Sequence, residues 1–104
     1  MPEFDHLLEA LRQAIEEKKA NPMSSRIIAV GDAAEAERRM AEAELDAVNA
    51  KEKLANESAA RHGLPAGFIR SAWGNFPAER KRLQRKIAAA ENVIAKAKKA
   101  EKET

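Results

Sequence analysis

The chain has no cysteine and no tyrosine, and four of its 104 residues are aromatic. The lack of cysteine excludes disulfide frameworks, thiolate nucleophiles and thiol-bound metals. No apolar run exceeds the length of Ile27 to Val30, which is far too short to cross a membrane. The first residues also lack the basic and apolar regions of a signal peptide. We therefore expect a cytoplasmic protein that does not associate with membranes.

The abundant residues are helix formers. Alanine occupies 23 positions, and charged residues, mostly glutamate, lysine and arginine, make up 35% of the chain. Because these residues have high helix propensity, we expect an all-α fold. A length of 104 residues predicts one domain, residues 1–104, and the shortage of bulky side chains predicts a thin core.

Apolar spacing predicts four helices, at about residues 3–20, 32–62, 66–73 and 78–100. Pro22 ends the first helix because proline cannot continue the helical hydrogen bonds. Asp32 and Glu35 have the spacing of a capping pair and are expected to start the second helix, which Gly63 ends.

The segment between the first two predicted helices is less regular. Residues 26–30 hold the chain's cluster of β-branched side chains. The sequence leaves two alternatives, an extended piece or one helical turn that Gly31 ends.

The second predicted helix carries two apolar stripes. In the first, small or apolar residues recur at alternating spacings of three and four, which predicts a contact surface for another helix. Its members are Ala33, Ala36, Met40, Ala43, Ala47, Ala50 and Leu54. The second stripe, which predicts packing on another side, consists of Leu45, Val48, Ala55 and Ala59. The last helix repeats the spacing at Leu83, Ile87, Ala90, Ile94 and Ala97.

The charge is distributed unevenly along the chain. Residues 32–60 carry eight acidic and four basic side chains (net −4), whereas residues 61–104 carry four and eleven (net +7). Two long helices of opposite charge favour antiparallel pairing. The sequence therefore predicts a small helical bundle built on a long antiparallel helical hairpin, with a short N-terminal helix and a short connector helix.

Five basic side chains lie within seven residues near the start of the last helix, Arg80, Lys81, Arg82, Arg85 and Lys86. One interpretation is a solvated flank that partly neutralises the acidic helix. The other is a surface for phosphate or for an acidic protein, because clustered cations create a positive potential.

The most aromatic part of the chain follows Gly63. One interpretation is a hydrophobic plug that closes the open end of the hairpin, formed by Leu64, Phe68, Ile69, Trp73 and Phe76. In the alternative, Phe68 or Trp73 is exposed beside Arg61 and Arg70. Because tryptophan and arginine dominate binding hot spots, this arrangement predicts a site for a protein partner.

Residues 55–73 resemble a helix-turn-helix unit, with Ala59, Gly63, Leu64 and Ile69 at the spacing that such motifs use. The resemblance implies a close helix crossing at the alanine and a turn at the glycine. It also implies DNA contacts in the major groove. The residues that it would place there are Ala66, Gly67, Arg70 and Ser71.

Nothing in the sequence supports catalysis or cofactor binding. His6 and His62 lack the spacing of metal ligands, and no glycine-rich phosphate-binding loop is present. The carboxylates of the second helix alternate with basic residues and show no apolar pocket that would shift their pKa values. We expect no enzyme, no metal and no cofactor.

These features predict a non-enzymatic protein-interaction module that acts by stoichiometric binding, as a small regulator, adaptor or inhibitor of a larger complex. Its size and its alanine and arginine content would suit a phage or plasmid origin. The expected partner is a protein with an acidic surface or a nucleoprotein complex, and the chain itself is a monomer or homodimer. The predicted partner-binding residues are Arg61, Phe68, Arg70, Trp73, Arg80, Lys81, Arg82, Arg85 and Lys86. Two alternatives are a helix-turn-helix-like DNA-binding regulator and a self-assembling coiled-coil structural protein.

Overall fold

A computed structural model describes residues 3–65 and 74–103. Within these ranges the chain forms three helices and no strand: α1 (Asp5–Ala20), α2 (Arg26–His62) and α3 (Phe76–Glu103). α2 and α3 form a long antiparallel hairpin, α1 packs against one end of it, and the molecule measures 66 × 21 × 15 Å. The predicted all-α hairpin is confirmed, whereas the predicted connector helix at 66–73 lies outside the described residues.

α1 is the amphipathic helix that its sequence predicts. Leu7, Leu11 and Ala14 are buried, and Leu8 and Ile15 pack partly buried against the core. The helix joins both members of the hairpin, because its buried side chains lie in clusters with residues of α2 and of α3. Within the part of the chain that the structure describes, one end of the hairpin is therefore packed against a third helix.

α2 begins at Arg26, so the prediction that it starts at Asp32 is wrong. Residues 26–30 form its first turn, so the helical alternative has the correct conformation, but the helix does not end at Gly31. Helix is favoured here because Ile27 is buried in a cluster that includes Leu11 of α1 and Ala97 of α3. Only a helical backbone continuous with α2 keeps Ile27 on the same face as the later buried positions.

Gly31 lies inside α2 and does not terminate a turn. A Cβ atom added at this position would lie 3.5 Å from the Cβ of Ala97, so α2 and α3 approach closely here. A glycine in a helix interior costs about 1 kcal/mol relative to alanine. The burial of Ile27 and Ala34 on either side of Gly31, in clusters with residues of α1 and α3, offsets this cost, so the helix continues through the glycine.

The ends of the hairpin helices have the capping interactions that their sequences favour. Gly63 adopts the left-handed conformation at φ 64°. Its N–H donates to the Ala60 carbonyl at 3.4 Å, and the Leu64 N–H donates to the Ala59 carbonyl at 2.9 Å, which satisfies two end carbonyls. α3 begins after Asn75, whose side-chain oxygen accepts from the Ala78 N–H at 3.2 Å.

The two stripes of α2 have different environments. The buried side of α2, which we call the inner face, contains Ile27, Ala34, Ala41, Ala55 and Ala59, with Leu45 and Val48 half-buried. It packs against α3, whose buried residues are Phe76, Leu83, Ala90, Val93, Ile94, Ala97 and Ala100. Most of the predicted α3 stripe is therefore buried, whereas Ile87 is half-buried. The second predicted stripe of α2 belongs to the inner face, and the first does not.

Candidate interaction surfaces

The first predicted stripe of α2 is exposed along its whole length. We call it the outer face of α2, and its members are Ala33, Ala36, Met40, Ala43, Ala47, Ala50 and Leu54. Met40 is 57% exposed and Leu54 is 61% exposed. No helix of the described residues packs on this face, although its spacing is that of a helix contact surface. It extends over about 32 Å at 1.5 Å per residue.

The position of α1 explains why the outer face stays free. Ala34 lies in one core cluster with Phe4 of α1 and Ala90 of α3, and Ile27 contacts both helices in the second cluster. The same side of α2 therefore packs against both α1 and α3. The opposite side retains apolar residues at helix-packing spacing. Among the described residues, α1 borders this side at Ala33 and no helix covers it from Ala36 onward.

Charged side chains flank the outer face on both edges. One edge has alternating signs, with exposed Asp32, Arg39, Asp46 and Lys53. The other edge carries Glu37, Glu44 and Lys51. These charges would determine which helix binds on this face and in which orientation, because the residues beside an apolar stripe have this role in coiled coils.

Two of the five clustered cations of α3 are paired with acidic residues of α2. The guanidinium of Arg80 forms an ion pair with Glu52, and its Nε donates to Oδ1 of Asn49 at 3.1 Å. Arg82 lies 3.9 Å from a carboxylate oxygen of Glu44. For these residues the interpretation as a flank that neutralises the acidic helix is confirmed.

The other basic candidates have different surroundings. The Nζ atom of Lys86 lies 6.0 Å from the centre of the Phe4 ring, within the range of a cation–π contact. Lys81 and Arg85 are exposed, four residues apart, and form no ion pair with any residue that the structure describes. Arg61 is exposed in the last turn of α2. The basic surface that remains available is therefore smaller than the sequence suggests.

Phe68, Arg70 and Trp73, together with the helix-turn-helix positions Ala66, Gly67, Ile69 and Ser71, lie outside the described residues. Ala59 is buried and Gly63 makes a turn, as that resemblance implies. A left-handed glycine is also a common way to end a helix, and Ala59 belongs to the inner face of α2. Leu64 is 37% exposed. Phe76 is buried.

Several of the described ionisable groups form ion pairs at the surface. The hydrogen bond from Arg12 lowers the pKa of Glu9, and the two side chains are exposed on α1 one turn apart. Within residues 3–65 and 74–103, no group of three metal-binding side chains comes together. In the same part of the chain, no helix is both long and apolar enough to span a bilayer.

Comparisons with protein families, with characterised proteins and with solved structures find no match to this chain. Its function has to be inferred from its own surfaces. Among the described residues the outer face of α2 is an exposed apolar stripe at helix-packing spacing. Sequence reasoning found its members and predicted a helix contact there, either within the chain or, in the self-assembling alternative, between chains.

Proposed function

We propose that this chain is a non-enzymatic protein-interaction module that acts by stoichiometric binding, with the outer face of α2 as its binding surface. The observation that carries the proposal is the exposure of Met40 and Leu54 within an apolar stripe of regular three-and-four spacing. Large contiguous apolar patches are uncommon on soluble monomers and mark interaction sites.

The chemistry of the outer face favours a helical partner. Apolar side chains at this spacing fill the groove of a second amphipathic helix. The alanines allow the two backbones to approach closely, although each buries less area than a leucine would. Affinity then depends on Met40 and Leu54, and specificity depends on the flanking charges. A module of this kind acts as a regulator, adaptor or inhibitor, and we place that action in the cytoplasm.

The proposal can be tested with a charge-bearing variant of the outer face. In Met40→Glu/Leu54→Glu, two exposed side chains become carboxylates, and the helix is preserved because glutamate is a good helix former. The tagged full-length chain is used as bait in an extract of its source cells, and bound proteins are quantified by mass spectrometry. We expect the double variant to retain at least tenfold less of the partner than the unaltered chain does.

The control is Met23→Glu, which makes the same chemical change in the segment between α1 and α2, where Met23 is 89% exposed. It should bind as the unaltered chain does. Equal retention by the double variant would refute the outer face as the binding surface. Retention of nucleic acid, with affinity that falls steeply between about 50 and 200 mM salt, would favour the DNA-binding alternative.

A further inference from the structure

We propose that the outer face of α2 pairs with the outer face of a second copy of this chain, in an antiparallel orientation that sets Met40 against Ala43 of the partner subunit. This inference rests on the proposed function and names the partner. It is carried by two independent features, the order of large and small side chains along the face and the order of charges beside it.

The large and small side chains are complementary in this orientation. The outer face alternates between steps of three and four residues. In an antiparallel pair, a residue that begins a three-residue step lies opposite a partner residue that ends such a step. Met40 then faces Ala43 of the partner subunit, and Leu54 faces the exposed Ala29 of the partner subunit. A parallel pair would instead set each large side chain against its own copy and leave gaps between the alanines. Alternation of large and small residues gives the denser interface.

The charges along one edge select the same register. Arg39 comes to lie beside Asp46 of the partner subunit, and Asp32 beside Lys53 of the partner subunit. Twofold symmetry makes each attractive pair occur twice. If the pairing is shifted by one heptad in one direction, Arg39 lies against Lys53 of the partner subunit. If it is shifted in the other direction, Arg39 lies against Arg39 of the partner subunit. Both shifts replace attraction by repulsion.

The charges along the second edge repel each other weakly in this register. Glu37 and Glu44 approach the acidic residues of the same edge in the partner. Arg82 lies 3.9 Å from Glu44 and moderates this repulsion. Exposed charges of this kind contribute little to stability, typically under about 1 kcal/mol, so they do not outweigh the apolar contacts.

The remaining helices leave room for this pairing. α3 lies on the inner face, on the other side of α2. α1 lies beside the first part of α2, near Ile27 and Ala34, and it borders an open groove that Ala29 and Ala33 line, so Leu54 of the partner subunit would enter this groove. In the antiparallel pair the partner's α1 lies beside the other half of α2. The two N-terminal helices therefore do not collide.

The association is tested first by sedimentation equilibrium of the full-length chain across a dilution series. We expect a monomer–dimer equilibrium for the unaltered chain and for Met23→Glu. Burial of the added carboxylates should raise the dimer dissociation constant of Met40→Glu/Leu54→Glu at least about a hundredfold. A circular dichroism spectrum with unchanged helix content shows that the variant is folded.

The orientation is tested by disulfide formation, which the cysteine-free chain allows. An equimolar mixture of Ala36→Cys and Ala47→Cys chains should form a mixed disulfide, because these positions face each other in the proposed register. Ala36→Cys alone should not cross-link, since its two copies are offset by ~16 Å along the axis, beyond disulfide reach.

The outcomes separate this inference from the proposed function. A monomer at every concentration, or ready cross-linking of Ala36→Cys to itself, would overturn the antiparallel dimer. If the chain is monomeric but Met40→Glu/Leu54→Glu retains less of a different protein from the extract than the unaltered chain does, the proposed function stands without this inference. If the double variant changes neither self-association nor partner retention, both are wrong.

Discussion

Replacement of Leu83 by alanine is expected to lower the free energy of unfolding by about 3 kcal/mol, within the range of about 2 to 5 kcal/mol found for buried leucines. Leu83 is 0% exposed and is one of the three largest fully buried side chains of the described residues. The truncation removes a side chain with no solvent contact from a thin core, so a cavity remains in its place. Urea unfolding followed by circular dichroism measures the change.

The matched control for this prediction is Leu54→Ala on the neighbouring helix. Leu54 is exposed, so its truncation should change the free energy of unfolding by no more than about 0.5 kcal/mol in the monomer. The two variants remove the same atoms, and only burial distinguishes them. Equal losses from both would mean that the inner and outer faces of α2 have been assigned incorrectly.

Replacement of Phe4 by alanine is the second change with a large expected effect, also a loss of about 3 kcal/mol or more. Phe4 is buried in one cluster with Leu7, Ala34 and Ala90, so its ring joins α1 to both helices of the hairpin. Its carbonyl accepts from the Leu7 and Leu8 N–H groups at 2.9 and 3.1 Å, which fixes the start of α1. Hydrogen exchange of α1 amides and urea unfolding would both report the loss.

The left-handed backbone of Phe4 leads us to expect different stabilities for Phe4→Ala and Phe4→Gly. Its φ is 63°, a left-handed conformation that non-glycine residues adopt at a cost of about 1 kcal/mol or more. Phe4→Gly loses the same ring as Phe4→Ala but relieves this cost, so it should be less destabilising by about 1 kcal/mol. If alanine proved the milder replacement, the left-handed start of α1 would be incorrect.

The positions of the helices could be predicted because their apolar spacing is regular and their ends have strong signals. Pro22 and Gly63 lie where the first two helices end, and Leu7 and Leu11 are buried as their spacing predicts. The start of α2 could not be predicted in the same way. Ile27 and Gly31 favour strand or turn locally, and the tertiary contacts with α1 and α3 override that preference.

The sequence also could not determine which of the two stripes of α2 packs against α3. Both have helix-packing spacing, so periodicity alone cannot decide which one faces α3. The decision depends on Ile27 and Ala34, which contact α1 and α3 together and direct one side of α2 toward both. Since the sequence did not show that residues 26–30 belong to α2, it could not show that Ile27 extends the inner face.

The charge pattern predicted that the acidic and basic helices would pair, and Arg80 and Arg82 do so. Which cations remain available depends on the register of the hairpin, and a count of charges does not contain that information. Lys81 and Arg85 are exposed and form no ion pair among the described residues.

The most direct test of the account is the reactivity of single cysteines placed at two neighbouring positions of α2. Ala41 lies on the inner face and is buried, whereas Ala43 lies on the outer face and is exposed. In dilute solution, a thiol reagent should modify Ala43→Cys at the rate of an unfolded chain and Ala41→Cys at least about a hundredfold more slowly, since the latter requires opening of the hairpin. Equal rates, or faster modification at position 41, would contradict the claim that α2 turns its inner face to α3 and leaves its outer face free to bind.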